Sequence, residues 1–224
     1  MVNVRRVVTD PRHPLAALFE LVERPEDIEE LLALRARVDP LAAAALKNIA
    51  LVAPADRYSG PRAALVMGPF LNIWPSRFSP GTYGVLYTAQ NLDVATREHG
   101  FHLGLAMLAT HAPASMLPRS AIDLKLDDST HRDIRAGGAH DVKNPAIYDP
   151  NPNGYGAAQA LGASVRAAGG PGLRYDSVRA PGGTCYGTFR PAAVRTVGAA
   201  TTELELVWDG TAIVECREIR THHL

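Results

Sequence analysis

The sequence predicts an α+β protein with a single structural domain. Helical patterns dominate the first half of the chain, and short apolar segments typical of β-strands dominate its last quarter. No internal repeat, low-complexity tract or linker divides the 224 residues, a length that suits one large domain. We therefore expect a helical N-terminal segment, residues 1–52, packed on a core formed by residues 53–224.

The N-terminal third carries three helix patterns. Residues 15–22 predict a short helix, and Pro25-Glu26-Asp27 predicts the start of a second, with acids in the first turn, where the helix dipole favours them. Asp39-Pro40 predicts a third, alanine-rich helix that ends near Ile49. This third of the chain is interpreted as scaffold.

The middle of the chain alternates between loops and regular elements. Residues 64–72 are apolar throughout and fit either a helix or a strand, and residues 75–82 are rich in turn formers. Residues 83–89 predict a strand. Asn91 is a candidate N-cap for a helix that continues to about Thr110.

The remaining elements are predicted mostly as strands. A strand is expected at residues 120–126, a loop-rich stretch at 131–153 and a helix at 155–168 that ends at a glycine cluster. Further strands are expected at the following ranges: 173–179, 184–190, 204–208 and 212–219. Asp209-Gly210 indicates a hairpin turn between the last two.

Composition excludes several classes of function. The formal net charge is zero, which argues against direct nucleic-acid binding. No stretch of about 18 apolar residues suggests a membrane span, and no signal peptide is evident. The two cysteines, Cys185 and Cys216, do not form a disulfide framework. We expect a cytoplasmic protein.

Arg77 and Glu98 are the leading candidate site residues. Arg77 lies in a Pro/Gly-rich loop before a strand, where a guanidinium is well placed to bind phosphate, although a surface arginine or structural ion pair is an equally simple interpretation. Glu98 lies in an otherwise apolar helix on the face of His102, which is placed to orient the carboxylate. A solvent-facing glutamate and a buried structural histidine are the competing interpretations.

Three further features complete the set of candidates. Tyr87 ends an apolar strand and is suited to stack on a heterocycle or to pack in the core. Arg57-Tyr58 forms a second arginine–aromatic pair in a loop. Ser177 interrupts a strand end and is expected to hydrogen-bond a ligand rather than to attack it, because no base is evident beside it.

Other chemistries lack their motifs. No serine lies in a G-x-S-x-G elbow, the P-loop pattern is absent, and the glycines at 154 and 156 lack the remainder of a dinucleotide-binding fingerprint. The histidines near Glu98 do not form H-E-x-x-H, and the cysteines are far apart, so no metal is expected.

Taken together, these motifs resemble the RES domain, named for its Arg, Glu and Ser. The resemblance covers roughly residues 15–195. Its signatures stand in this order: Leu18-Phe19-Glu20-Leu21-Val22-Glu23, Arg77-Phe78-Ser79-Pro80-Gly81, Gly84-Val85-Leu86-Tyr87, Ala95-Thr96-Arg97-Glu98, Tyr175-Asp176-Ser177-Val178-Arg179 and Phe189-Arg190-Pro191. Thr96-Arg97 departs from the small or apolar residues that the family often has there.

The resemblance implies a toxin that consumes NAD+ and is neutralised by an Xre-type helix-turn-helix antitoxin. It implies an ADP-ribosyltransferase-like core, with residues 53–224 as the catalytic domain. Arg77, Glu98 and Ser177 become the defining site. Other NAD+ contacts are expected from these residues: Arg57, Tyr58, Tyr87 and His102.

The sequence does not decide which group accepts the ADP-ribose. Water or phosphate as acceptor leads to NAD+ depletion, and a protein side chain leads to ADP-ribosylation of a target protein. A non-catalytic module that binds a nucleotide or a protein is the alternative from a different class.

Overall fold

A computed structural model describes residues 1–9, 18, 22, 24, 27–59 and 61–220. The helix expected at residues 15–22 and the helix start expected at Pro25-Glu26 fall largely outside these described residues. No helix in the described part of the chain is both long enough and apolar enough to cross a membrane.

The described residues form five α-helices and eight β-strands. The helices are α1 (Ile28–Arg35), α2 (Pro40–Ile49), α3 (Ala63–Leu71), α4 (Leu92–Ala109) and α5 (Gly156–Ala167). The strands are β1 (Val2–Val8), β2 (Leu86–Ala89), β3 (Ser115–Leu126), β4 (Arg132–Asp133), β5 (Gly172–Asp176), β6 (Thr184–Thr188), β7 (Val194–Trp208) and β8 (Ile213–Ile219).

All eight strands join one mixed sheet in the order β4-β5-β6-β2-β1-β3-β7-β8. The β4–β5 pair is parallel and the other neighbouring pairs are antiparallel. One continuous sheet with helices packed against it is a single α+β domain, as the sequence predicts.

Strand β1 corrects the expectation that the N-terminal segment is helical. It lies in the middle of the sheet and pairs along its whole length with β3, from Val2↔Leu126 to Val8↔Ser120. Val4, Val7 and Val8 are buried. Two adjacent arginines in a seven-residue strand hide the apolar pattern, and the partner strand lies more than a hundred residues away, so local sequence does not predict this element.

Two of the five described helices begin at the side-chain caps that the sequence predicts. Asp39 caps α2 by accepting a hydrogen bond from the Leu41 amide, and Asn91 caps α4 by accepting one from the Val94 amide at 3.0 Å. The ambiguous stretch at 64–72 is helix α3, whose residues are buried on nearly every side. Burial all round removes the periodicity that would otherwise identify a helix.

Helix α5 packs directly against the loop that carries Arg77. A Cβ added at Gly162 would lie 2.2 Å from the carbonyl oxygen of Phe78, so only glycine permits this approach. Tyr83 closes the same loop by donating its hydroxyl proton to the Phe78 carbonyl at 2.6 Å. The loop before β2 is therefore held rigidly between the sheet and α5.

Candidate active site

Glu98 and Ser177 meet although 79 positions separate them in sequence. The Ser177 hydroxyl donates to Glu98 Oε1 at 2.5 Å. Glu98 lies on the second turn of α4, and Ser177 follows β5 directly, at the point where the sheet reaches the helix. The structure thus brings together two of the three residues that the sequence marks as defining.

The turn after β5 orients the Ser177 hydroxyl. Its oxygen accepts hydrogen bonds from the backbone amides of Arg179 (3.1 Å) and Ala180 (2.9 Å), and the Ser177 amide donates to the Gly183 carbonyl. Because two amides occupy the oxygen lone pairs, the hydroxyl proton is directed to Glu98. Ser177 is therefore a group that positions the carboxylate, and its oxygen is poorly placed to act as a nucleophile.

Cys185 and Tyr175 are two titratable neighbours of Glu98 that stay neutral. The Cys185 sulfur lies 3.9 Å from Glu98 Oε1, and burial, reinforced by the Glu98 charge, raises the pKa of the thiol far above its ordinary value. Burial also raises the pKa of Tyr175, whose ring lines the same cavity. Both groups stay protonated at neutral pH, so they leave Glu98 as the acidic group of this wall.

Arg77 is buried, with 6% of its surface exposed, and forms no ion pair with a described carboxylate. Its guanidinium donates to the carbonyls of Ile147 and Asp149, both at 3.0 Å, and to the Tyr155 hydroxyl at 3.3 Å. It also stacks on the Tyr155 ring, 4.3 Å from the centroid. Three hydrogen bonds leave two of its five N–H groups for a ligand, and no carboxylate in the described part of the chain pairs with its charge.

Tyr87 supports the Arg77 loop. Its hydroxyl accepts from the Phe78 amide at 2.9 Å and donates to Ser76 Oγ at 3.0 Å. Burial raises the pKa of Tyr87 well above its ordinary value. The hydroxyl is fully engaged, so the part of Tyr87 that remains for a ligand is its ring.

One cavity of about 870 Å³ connects these residues. This volume lies within the usual range for small-molecule and cofactor sites. Its lining includes the charged and polar residues Arg6, Arg77, Tyr87, Glu98, His99 and His102. No group of three potential metal ligands is assembled anywhere among the described side chains.

Arg6 is a site residue that the sequence analysis missed. It lies on β1, lines the cavity, and donates to the Leu65 carbonyl, and it forms no ion pair within the described residues. Burial lowers its pKa to about 10, which still leaves it charged at neutral pH. The available signal was a charged pair, Arg5-Arg6, in an otherwise apolar segment, which is costly to bury without a function or a partner.

His99 lies close to this second guanidinium. Its Nε2 accepts a hydrogen bond from Arg119 Nε at 3.1 Å, which requires the imidazole to be neutral on that nitrogen. Burial lowers the pKa of His99 to about 4, with further lowering from the charges of Arg119 and Arg6. His99 therefore adds a neutral polar group to this wall of the cavity.

His102 is at the cavity wall but does not hydrogen-bond Glu98. Burial lowers the pKa of His102. The negative charge of Glu98 opposes this lowering, and the positive charges of Arg179 and Arg77 add to it. Its ring packs edge-on against Phe101 at 5.2 Å. Ser177, rather than His102, is thus the residue that orients the carboxylate.

Arg57 and Tyr58 do not line the cavity, so the structure does not bring these two candidates together with Arg77 and Glu98. Arg57 donates to the Val52 carbonyl at 3.2 Å and to Glu29 Oε1 at 2.5 Å, so it joins the loop after α2 to α1. Tyr58 packs against the buried cluster formed by α1–α3 and the sheet. Arg57 and Tyr58 follow a helical segment in the sequence, and in the fold they pack against that segment and not against the cavity.

The α+β domain thus holds a cavity of the size typical of small-molecule sites, lined by an oriented carboxylate and by two guanidiniums that pair with no described carboxylate. The family model of the RES domain matches residues 49–209, more than half of the chain. The chain therefore belongs to the RES domain family, which is associated with NAD-related toxin function. A comparison with curated proteins found no match.

Proposed function

We propose that this protein is an enzyme that cleaves the bond between nicotinamide and ribose in NAD+, and that it acts as the toxin of a toxin–antitoxin pair. Membership of the RES domain family supports an NAD-related activity. The observation that carries the proposal is the Glu98–Ser177 pair, at the wall of a cavity that also presents Arg77 and Arg6.

The two guanidiniums suit the pyrophosphate of NAD+. Arg77 is buried and Arg6 is half-buried, and neither has a carboxylate partner among the described residues, so a ligand phosphate would supply the missing counter-charge. Arg77 retains two free N–H groups, which matches bidentate binding of one phosphate. Arg6 approaches the cavity from β1 and is available for the second phosphate or for a ribose hydroxyl.

Glu98 suits the reacting end of the substrate. When the C1′–N bond breaks, its electron pair leaves with neutral nicotinamide, and positive charge develops on the ribose as in glycoside cleavage. A carboxylate fixed beside the ribose stabilises that charge more in the transition state than in the ground state. Ser177 restricts Glu98 to one orientation, so little reorganisation is needed during the reaction.

The acceptor completes the reaction by adding an oxygen or another nucleophilic atom to C1′ and losing its proton. Water or phosphate as acceptor depletes NAD+, and a side chain of a target protein becomes ADP-ribosylated. We propose an Xre-type helix-turn-helix protein as the antitoxin that blocks the cavity, in keeping with the resemblance described above. No metal is required for this chemistry.

The test is nicotinamide release from NAD+ by the purified protein, with and without a bacterial lysate as the source of acceptors. We expect turnover by the wild type and a loss of about 10²–10³-fold in Glu98→Gln, which keeps the size of the side chain. Asp93→Asn is the matched control, because Asp93 is an exposed carboxylate on the same helix that pairs only with Arg97. Turnover by Glu98→Gln equal to that of the control would assign the charge stabilisation to another group.

Two further readouts separate the alternatives. Radiolabelled NAD+ in lysate distinguishes transfer, which labels a discrete protein, from depletion, which labels only small molecules. NAD+ binding without turnover under both conditions would show a binding module instead of an enzyme. Expression without an antitoxin is expected to arrest growth, and Glu98→Gln is expected to abolish the arrest.

A further inference from the structure

Strand β8 ends the sheet with an edge that no other described strand covers. Its inner edge pairs regularly with β7 from Glu203↔Ile219 to Val207↔Glu215, a bulge at Val214 precedes the Trp208↔Ile213 pair, and β8 stands last in the strand order. Six of its seven residues are exposed. An uncovered strand edge is a template for pairing with another chain, unless its side chains prevent it.

The sequence of β8 is nearly symmetric about its central residue. The strand reads Ile213-Val214-Glu215-Cys216-Arg217-Glu218-Ile219. Isoleucines stand three positions from Cys216 on either side, and charges of opposite sign stand one position from it. This arrangement bears directly on whether β8 accepts a second copy of itself.

A two-fold symmetric antiparallel pair must place one residue opposite its own copy. Hydrogen-bonded and non-hydrogen-bonded pairs alternate along the ladder, so the symmetry axis passes through a residue pair and not between two pairs. Centring on Glu215 opposes two glutamates, and centring on Arg217 opposes two arginines, both of which are destabilising. Centring on Cys216 places the axis within the regular part of the strand, Glu215–Ile219, and opposes Glu215 to Arg217 twice.

We propose that β8 is a homodimer interface, in which two copies pair antiparallel about Cys216 and join their sheets into one. In this register Glu215 lies opposite Arg217 of the partner subunit, and Arg217 lies opposite Glu215 of the partner subunit. Each such cross-strand pair contributes about 0.2–1 kcal/mol beyond the backbone hydrogen bonds. The proposal concerns a surface outside the cavity and does not depend on the proposed function.

The charged side chains are already arranged for this pairing. Arg217 donates to both carboxylate oxygens of Glu215 at 2.8 Å and to Glu205 at 3.3 Å, so its guanidinium lies flat along one face of β7–β8. Arg217 is therefore partly ordered before a partner arrives. An interface of one short strand is smaller than a standard stable interface, so we expect micromolar affinity.

A disulfide between the two copies of Cys216 would show that the two β8 strands pair in this register. Directly opposed residues in an antiparallel pair have Cα atoms about 4.5–5.5 Å apart, within the range that a disulfide spans. Cys216 is exposed, whereas Cys185 is buried and protected from reagents. Dithiodipyridine is a suitable probe, because it accepts the two electrons and two protons that the thiols lose when they form the disulfide.

The experiment combines sedimentation equilibrium of the full chain with cysteine mapping. We expect a monomer–dimer equilibrium, a covalent dimer from the wild type, and none from Cys216→Ser. The triple variant Cys216→Ser/Glu215→Cys/Arg217→Cys should crosslink, because Glu215 lies opposite Arg217 of the partner subunit. The variants Cys216→Ser/Glu215→Cys and Cys216→Ser/Arg217→Cys should not, because each cysteine lies about 8 Å from its own copy, beyond the reach of a disulfide.

A second experiment reverses and then exchanges the charges at positions 215 and 217. Glu215→Arg opposes two arginines and should abolish the dimer, and Glu215→Arg/Arg217→Glu should restore it, because the opposite charges are exchanged on both copies. A protein that stays monomeric at 0.1–1 mM (about the upper limit set by a weak interface), or equal crosslinking of all cysteine variants, would overturn the proposal. Nicotinamide release is measured in parallel and is expected to be unchanged.

Discussion

Replacing Ser177 with alanine removes the hydroxyl that donates to Glu98 Oε1 at 2.5 Å. A hydrogen bond to a charged group contributes about 1.5–3 kcal/mol. If the bond serves to hold the carboxylate beside the ribose, its loss should slow nicotinamide release by about ten- to a hundredfold. The substitution also leaves the amides of Arg179 and Ala180 without their acceptor, so we expect the free energy of unfolding to fall by about 1–3 kcal/mol.

A double-mutant cycle separates the catalytic effect of Ser177 from the structural one. Single-turnover rates of nicotinamide release at saturating NAD+ are measured for the wild type, Ser177→Ala, Glu98→Gln and the double variant. Because Ser177 contacts the carboxylate and its oxygen is occupied by two amides, its effect should pass through Glu98. We therefore expect the double variant to be no slower than Glu98→Gln alone.

The contrary result is a double variant whose rate is the product of the two single losses. Additivity would mean that Ser177 acts on the substrate independently, for example by binding a ribose hydroxyl or phosphate. Thermal unfolding of each variant confirms that the assay temperature lies below the transition. Ser129→Ala is the control, because Ser129 is an exposed serine that bonds to Asp127 and does not line the cavity.

Three further predictions concern the scaffold and its titration. Arg57→Ala should lower the free energy of unfolding by about 1–3 kcal/mol, because it removes a buried side chain and the hydrogen bond to the Val52 carbonyl. It should leave the KM for NAD+ unchanged, as urea denaturation and kinetics would show. A raised KM in a fully folded variant would return Arg57 to the site. Burial lowers the pKa of His131 to about 4. As the pH drops below about 6.5, the unfolded chain binds a proton at His131 before the folded chain does. The free energy of unfolding should therefore fall by up to about 3 kcal/mol between about pH 6.5 and pH 4. His131→Gln should flatten that part of the stability–pH profile, and an unchanged slope would contradict the assignment. Gly162→Ala should lower Tm by several degrees, because its Cβ would lie 2.2 Å from the Phe78 carbonyl oxygen, and an unchanged Tm would show that α5 moves freely.

Local signals predicted the helices well where the signal is itself local. Asp39 and Asn91 cap α2 and α4 with their own side chains, at the positions that the sequence indicates. The hairpin between β7 and β8 follows the Asp209-Gly210 turn in the same way. These features depend on contacts within a few residues, so the local sequence is enough to predict them.

Elements that depend on distant partners were less predictable. Strand β1 becomes a strand through its pairing with β3, and helix α3 loses its periodicity because the sheet and α2 bury it. Two arginines show the same limit of local sequence, which does not indicate which of them lies at the cavity. Arg57 in its loop and Arg6 in its strand are chemically identical candidates, and local sequence favours the one beside a tyrosine.

The sequence by itself determined the α+β class and the family, and it predicted Arg77, Glu98 and Ser177 as site residues, because motifs and caps are patterns along the chain. Only the tertiary structure decided that Ser177 orients Glu98, that Tyr87 supports the Arg77 loop, and that Arg6 replaces Arg57 at the cavity. Those outcomes depend on which strand lies beside which in the sheet. Pairing of β1 with β2 and β3 carries Arg6 to the cavity wall, whereas packing against α1 holds Arg57 away from it.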